Sequence, residues 1–318
     1  MKKTFFLALF CLTTIGRAFA QNQSDSLIKK AIYLYQQNSY DSSLILFKQA
    51  IEKDSDNIKN TVYFYAACNA AKCNNKDLAF NWLLQYGNLT EEPQTNVVLL
   101  QTSLESLFDD KRWTSFIIFL KQKEYKKDSS LHYDIPLKKQ LDTLYYDDQK
   151  YRIFLNEYID KYGDSSQIVN NLWNKILYQD SINLNKLEII FNKYGWVSKK
   201  RVGASAVAAQ WMIIQHADLK IQKKHLPLLR EAAENGDILK SKLALTIDRI
   251  NIGDGQKQIY GSQIGTTTKN GKVIKYIEPI ENPENVDKRR AEMNMEPIAD
   301  YAKRNSIEWS LEKYKKDN

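Results

Sequence analysis

Residues that interrupt regular secondary structure are scarce in this sequence. Among 318 residues there are only 11 glycines and 6 prolines. Disordered and low-complexity chains are usually richer in these residues, and all-β chains need them at their many turns. The scarcity argues against all three classes, and a content of 43% hydrophobic and 26% charged residues is ordinary for a globular protein.

Cysteine and histidine are also rare. Cys68 and Cys73 follow the N-terminal segment at a spacing that is not C-x-x-C, with no histidine nearby to complete a zinc site. They form either a disulfide in an oxidising compartment or two buried thiols, and we favour thiols because their offset on one helix suits a bridge poorly. A three-histidine metal site would need His132, His216 and His225 together. The sequence identifies no metal.

Signatures of well-known enzymes are absent as well. The chain has no G-x-S-x-G, no H-E-x-x-H, no P-loop and no dinucleotide fingerprint, so it identifies no cofactor and no nucleophile. Beyond the N-terminal segment, no stretch approaches the roughly 18 apolar residues of a spanning helix. We therefore predict no transmembrane segment after that segment is cleaved.

Residues 1–20 are typical of a signal peptide. A lysine pair at 2–3 precedes an apolar run from Thr4 to Ile15, and Ala18-Phe19-Ala20 fits the small-x-small rule for cleavage before Gln21. A lipoprotein signal ending at Cys11 is the less favoured alternative, because a bulky residue precedes that cysteine. We expect an exported protein, either periplasmic or extracellular.

The charge pattern is that of a solvated surface. The formal net charge is +8, and loss of Lys2, Lys3 and Arg17 with the signal peptide leaves 8 − 3 = +5. Basic residues alternate with acidic ones, as in KKH at 223–225 followed by REAAE at 230–234. Because they form no basic stripe, we expect no nucleic-acid partner.

The first half of the mature chain has the spacing of paired helices. Residues 24–52 contain two amphipathic faces interrupted at Asn38-Ser39, and this plan of about 34 residues resembles a tetratricopeptide repeat. Residues 59–86 repeat the plan. The resemblance implies a protein or peptide partner for the helical repeats.

A capping segment and a linker are predicted to follow. Residues 91–123 include a helix with Trp113 and would close the repeats, which gives a first domain over 21–123. We interpret residues 124–136 as a linker and residues 137–318 as a second domain.

The sequence predicts that the second domain consists of helices followed by a β-hairpin at about 258–280. Asn270-Gly271 is a strong hairpin signal between two β-like runs. A two-residue turn there predicts two cross-strand pairs, Ile264 with Ile277 and Gly261 with Ile280. The expected fold is mainly α, with N-terminal tetratricopeptide-like helical repeats followed by a helical domain carrying one C-terminal β-hairpin.

Polar residues in the helical part have ordinary structural interpretations. Asp148 and Arg152 are four residues apart and can pair on one helix face. Asp180 and Asn183 flank a predicted helix start, where such residues act as caps.

From about Leu141 to Tyr301, the chain resembles an uncharacterised family of bacterial domains. The motifs that carry the resemblance appear in the expected order: DDQKYR, YGW, QHAD, DRI, QIYGSQ and PIENPENVDKRR. One departure is Ser262, where the family pattern has threonine, and it keeps the hydroxyl group. The resemblance implies a domain but no particular activity.

A candidate site follows the apolar stretch from Ala204 to Asp218. A helix that is apolar on every side is buried, and ionisable groups at its end need partners. His216 and Asp218 would point about 200° apart on a regular helix, so they converge only if the helix ends between them. With Asp248, they could form a general base or bind a divalent metal. The candidate binding residues are Gln215, Arg249, Tyr260, Gln263, Arg289 and Arg290.

Each candidate also has a structural alternative. His216 can be a satisfied terminal histidine, Asp218 a helix cap, and Asp248 with Arg249 an ion pair that holds the hairpin. Two functions therefore remain open. The first is an exported protein- or peptide-binding scaffold that acts through its helical repeats, and we favour it slightly because repeats bind. The alternative is an exported hydrolase with a His/Asp site, metal-assisted or not, in the C-terminal domain.

Overall fold

The computed structural model describes residues 23–269 and 272–317 and divides into two compact units, Met1–Leu131 and His132–Asn318. The predicted signal peptide and the Asn270-Gly271 turn lie outside the described residues. The described chain is mainly α-helical with a two-stranded antiparallel hairpin near its C-terminal end, as predicted. Across this part of the chain, no helix combines the length and the apolar character that a membrane crossing requires.

The N-terminal unit contains two helix pairs followed by a longer helix. Its helices are α1 over residues 23–36, α2 (Tyr40–Lys53), α3 (Asn60–Lys72), α4 (Lys76–Leu89), α5 (Thr95–Leu99) and α6 (Lys111–Ser130). Asn38 and Asn74, in the turns within the two pairs, have φ of 57° and 56°. Asparagine tolerates this left-handed conformation better than most residues. The tetratricopeptide resemblance of these pairs stays a prediction.

Helix α6 is longer than the sequence suggested. It begins after Asp110, whose side chain accepts a hydrogen bond from the backbone N–H of Arg112, and it buries Trp113 in the core of the unit. It ends at Ser130, so residues 124–130 are helical where we expected a linker. The physical reason is that this stretch contains no glycine or proline, and its Glu124, Lys126 and Lys127 favour helices.

Both described cysteines are free thiols. Cys68 is buried within α3 and Cys73 is partly exposed at the end of that helix. Burial raises the pKa of Cys68 to about 12 and that of Cys73 to about 11. Both groups are therefore neutral at physiological pH.

The C-terminal unit contains a largely buried helix packed among three other helices. Its elements are α7 (Ile135–Gln149), α8 (Leu155–Tyr162), α9 (Gln167–Tyr194), α10 (Lys199–His216), α11 (Leu219–Glu234), α12 (Lys240–Gly253), β1 (Ile264–Lys269), β2 (Lys272–Ile277), α13 (Val286–Glu292), α14 (Ile298–Arg304) and α15 (Leu311–Asp317). Helix α10 contacts α7, α9 and α11. Most of its length from Ala206 to Gln215 is buried, but Ala204 and Ser205 are exposed, so it is not enclosed on every side.

Helix α9 corrects one interpretation of the sequence. Asp180 and Asn183 lie in its interior and do not flank a helix start. The polar run around them resembles a cap, but apolar residues continue at helical spacing through Leu187 and Ile190, which are buried. Their burial stabilises the helix across the polar stretch.

The hairpin has the predicted register in its strands. Ile264 pairs with Ile277, as expected. Gly261 does not pair with Ile280, because β1 begins only at Ile264, and instead Gln258 forms an isolated bridge with Ile280. Residues 258–263 are therefore a loop that leads into the hairpin.

Candidate functional site

Helix α10 ends where its polar residues begin. His216 is its last residue, and Ala217 leaves the helical conformation with ψ of 171°. The carbonyls at this end are capped by side chains: Gln222 donates to Gln215 and Ala217, and Arg249 donates to Gln215. The end of the helix is thus fixed in place, and so is the backbone that carries His216.

His216 is hydrogen-bonded to Asp148, at the end of α7. The distance from His216 Nδ1 to Asp148 Oδ1 is 3.0 Å. The Asp148 side chain is only 1% exposed, whereas that of His216 is 24% exposed. One imidazole nitrogen therefore faces a buried carboxylate while the ring keeps access to solvent. We call these two residues the Asp148–His216 pair.

The surroundings of Asp148 keep it ionised. Burial alone would raise the pKa of Asp148, but the His216 hydrogen bond and the charges of His216 and Arg152 lower it below its usual value. Gln149 also donates to its second oxygen at 2.7 Å. Because the carboxylate carries no proton, His216 Nδ1 must donate in this bond, and a neutral ring then has Nε2 as a free acceptor.

Arg152 links the pair to α9. Its two terminal nitrogens bind both oxygens of Asp180 at 2.8 and 2.7 Å, and one lies 3.7 Å from Asp148. The predicted pairing of Asp148 with Arg152 is thus present but secondary, since Asp180 holds the guanidinium in the bidentate geometry that arginine favours.

Gln215, the residue before His216, belongs to a second cluster of polar residues. Gln215 is 3% exposed, and its side-chain oxygen accepts a hydrogen bond from Thr246 at 2.6 Å. Arg249, one turn further along α12, donates to the Gln215 carbonyl at 2.8 Å and reaches Gln263 at 3.5 Å. The structure therefore brings Gln215, Arg249 and Gln263 together beside His216.

Asp218 has a local structural role. It precedes α11, and its side chain accepts a hydrogen bond from the backbone N–H of Ile221 at 2.9 Å. This is the helix cap that the sequence offered as the alternative. The acidic partner of His216 is Asp148 and not Asp218, because the chain turns away at Ala217.

Asp248 organises the loop over residues 258–263. It is fully buried and accepts hydrogen bonds from the backbone N–H groups of Ile259, Tyr260 and Ser262 at 2.7, 3.0 and 2.9 Å. Burial raises the pKa of Asp248, although these donors act in the opposite direction. Its bonds go to this backbone, so neither a pairing with His216 nor the expected ion pair with Arg249 is formed.

Arg289 and Arg290 hold the same loop by its carbonyls. Arg289 donates to Ile259 at 2.8 Å, and the buried Arg290 donates to Tyr260 at 2.7 Å. Tyr260 contributes backbone groups to this clamp, and its ring packs against the core of the unit. Arg289, Arg290 and Tyr260, which were candidates for ligand binding, thus stabilise the loop that carries Gln263. The Gln263 side chain extends from this loop toward Arg249.

The described residues contain no group of three or more histidine, cysteine, aspartate or glutamate side chains placed to hold a metal ion. Of the other two histidines, His225 is buried and paired with Glu188 at 2.7 Å, and His132 is exposed. Three histidine ligands are therefore not brought to one place.

Sequence reasoning missed the role of Asp148. It lies 68 residues before His216, and we considered it only as a partner for Arg152. A signal did exist, because Asp148 and Arg152 belong to the DDQKYR motif, which appeared in the same set of motifs as QHAD. Nothing in the spacing, however, shows that α7 brings one motif to the other.

The comparison with protein-family models agrees with the motif resemblance. Residues 147–312 match a model described as "Family of unknown function (DUF6624)". This is 312 − 147 + 1 = 166 of the 318 residues, and it includes every candidate site residue. Comparisons with curated proteins and with solved structures gave no match. The chain belongs to the family of unknown function DUF6624.

Proposed function

We propose that the C-terminal unit is a hydrolase in which His216 acts as a general base and acid, held in position by Asp148. The observation that carries the proposal is the difference in exposure within the pair: the Asp148 side chain is 1% exposed and the His216 side chain 24% exposed, at a hydrogen-bond distance of 3.0 Å. A carboxylate that orients an accessible imidazole is a recurring arrangement in acid–base catalysis.

In this proposal, each residue has a definite task. His216 Nε2 accepts a proton from water as the water oxygen attacks the substrate, and it returns that proton to the leaving group. Asp148 fixes the Nδ1–H tautomer and stabilises the imidazolium formed between these two steps. Arg152, bound to Asp180, holds the carboxylate in its ionised form.

The test compares turnover by the mature protein, residues 21–318, with that of two variants. A panel of chromogenic carboxylic esters, phosphoesters, glycosides and peptide amides covers the main hydrolysable bonds. We expect His216→Ala to lower the rate on any substrate that is turned over by about 10²–10⁴-fold. The matched control is His132→Ala, because His132 is an exposed histidine away from the pair. Turnover that survives His216→Ala, or no turnover across the panel, would contradict the proposal.

A second candidate function, the binding of a peptide by the N-terminal unit, has its own supporting observation. A cavity of about 470 Å³ is lined by Phe80, Leu84, Phe116 and Phe119, with Lys111, Arg112 and Ser115 at its polar part. Leu84 is 46% exposed, so the cavity offers apolar surface to an incoming side chain. A peptide with one large apolar anchor residue suits this surface.

Selection from a displayed peptide library tests this second function. Peptides enriched on the mature protein are expected to lose binding to Leu84→Asp. They should keep binding to Ile118→Asp, since Ile118 is 51% exposed on the neighbouring helix and does not line the cavity. Equal binding to both variants, or no enrichment, argues against a peptide site here.

We also propose that the protein acts outside the cytoplasm, in the periplasm or the extracellular space. The support is the signal-like segment over residues 1–20. Mass spectrometry of the protein from its native host should find Gln21 at the N-terminus, and an intact Met1 would contradict export by cleavage.

A further inference from the structure

Arg249 lacks the acidic partner that Arg152 has. Within the described part of the chain, no carboxylate lies at ion-pair distance from Arg249. Its bonds to the Gln215 carbonyl and to Gln263 use two of the five N–H groups of a guanidinium. The residue as a whole is exposed, so the remaining donors are within reach of a ligand.

Arg152 is a second cation near Arg249. Partial burial of its guanidinium and the positive charge of Arg152 lower the pKa of Arg249. A bound anion would reverse the unfavourable like-charge environment of Arg249, and a planar guanidinium suits the two oxygens of a carboxylate or phosphate.

A buried donor of Gln215, the residue whose carbonyl Arg249 binds, has no acceptor among the described residues. The amide nitrogen of Gln215 has no hydrogen-bond partner among the described residues, although the residue is only 3% exposed and its side-chain oxygen accepts a hydrogen bond from Thr246. A buried donor without a partner is costly and uncommon in folded proteins. This unsatisfied amide belongs to the residue whose carbonyl Arg249 binds.

Gln263 is held in a fixed position next to the same guanidinium. Its side-chain nitrogen donates to Leu245 at 3.3 Å and to Ser262 at 3.0 Å, and its oxygen faces Arg249. The loop that carries it is bound through its backbone by Asp248. The Gln263 side chain and its loop are thus held by hydrogen bonds without any ligand, and such preorganisation favours binding.

We propose that Arg249 binds a carboxylate or phosphate group of the substrate and so places the reacting bond beside His216. This inference rests on the acid–base function proposed above. It assigns the substrate to the class of oxyanion-bearing molecules. Arg249 anchors the anion, and His216 moves the proton.

The experiment titrates the mature protein with inorganic phosphate in one arm and acetate in the other. Binding is followed by the NMR signals of the histidine rings and by calorimetry. We expect one anion to bind and to shift the His216 signals while those of His132 stay unchanged. The tighter of the two identifies the substrate group as phosphate or carboxylate.

The variants are chosen to keep the fold. Arg249→Gln should weaken anion binding by at least about tenfold. Arg249→Lys should weaken it less, because lysine keeps the positive charge but lacks the paired N–H donors of a planar guanidinium. The control is Arg230→Gln, which removes another exposed arginine of the same unit and should change the affinity less than about twofold.

Two results would overturn the inference: no binding of either anion by the wild type at tens of millimolar, or unchanged binding by Arg249→Gln. Failure of the two proposals can be told apart. Turnover that depends on His216 without anion binding contradicts the inference alone. Anion binding that depends on Arg249, together with turnover that survives His216→Ala, contradicts the acid–base function alone.

Discussion

Substitutions at Asp148 and His216 should be strongly coupled in their effects on stability. Asp148→Asn removes the charge-assisted bond to His216 and the attraction to Arg152, and the amide can still accept from Gln149. We expect a loss of about 2.5 kcal/mol, since hydrogen bonds to charged groups are each worth roughly 1.5–3 kcal/mol. His216→Ala should cost about 1.5 kcal/mol, because its side chain is partly exposed and the buried carboxylate keeps Gln149 and Arg152.

The double variant isolates the bond itself. Both single changes break the same interaction of about 1.5 kcal/mol, so the two losses together should reach only about 2.5 kcal/mol instead of 4. The assay is native-state hydrogen exchange of core amides in the C-terminal unit, which reports the unfolding free energy of that unit within the whole chain. A coupling of less than about 0.5 kcal/mol would refute the assignment of this hydrogen bond.

Three further predictions concern the same unit. Folding lowers the pKa of Asp148, so the contribution of its carboxylate to stability is complete above about pH 4 and is lost as the pH falls through the folded pKa. The difference in unfolding free energy between wild type and Asp148→Asn should therefore shrink with falling pH. Acid unfolding curves taken from pH 7 to pH 3 measure this difference. Gly261→Ala should lower the unfolding free energy by about 2–4 kcal/mol in chemical denaturation, because φ is 67° and the new methyl group would lie 2.7 Å from Ile298. The control is Gly255→Ala, where φ is 71° but no atom lies within 4 Å, and it should cost only about 1–2 kcal/mol. Asp218→Ala removes a helix cap, so it should cost about 1 kcal/mol in thermal unfolding and change turnover by less than about twofold. A loss of turnover as large as that of His216→Ala would instead identify Asp218 as a catalytic residue.

Local patterns in the sequence predicted much of the fold. The period of apolar residues indicated the helices, and the two β-like runs around Asn270-Gly271 gave the pairing of Ile264 with Ile277. The capping alternative for Asp218 needed only the three following residues. Such features depend on neighbours in the chain, and for this reason sequence spacing is enough to predict them.

The candidate site was only half predictable. His216 is correctly placed at a helix end, but its partner Asp148 and the Arg152–Asp180 ion pair join residues 68 and 28 positions apart. These contacts depend on how α7, α9 and α10 pack, and side-chain periodicity does not encode packing partners. The hydrogen bonds of Asp248 were missed for a different reason: a loop held through its backbone leaves little trace in side-chain patterns.

Nitrogen-15 NMR of the histidine rings tests the central claim most directly, because it needs no substrate. At a pH where the ring of His216 is neutral, we predict a proton on Nδ1 and none on Nε2 in the wild type. In Asp148→Asn, this preference should be weakened or reversed. A wild-type His216 that carries its proton on Nε2 would have no free acceptor for catalysis, and it would contradict the proposed acid–base role of the Asp148–His216 pair.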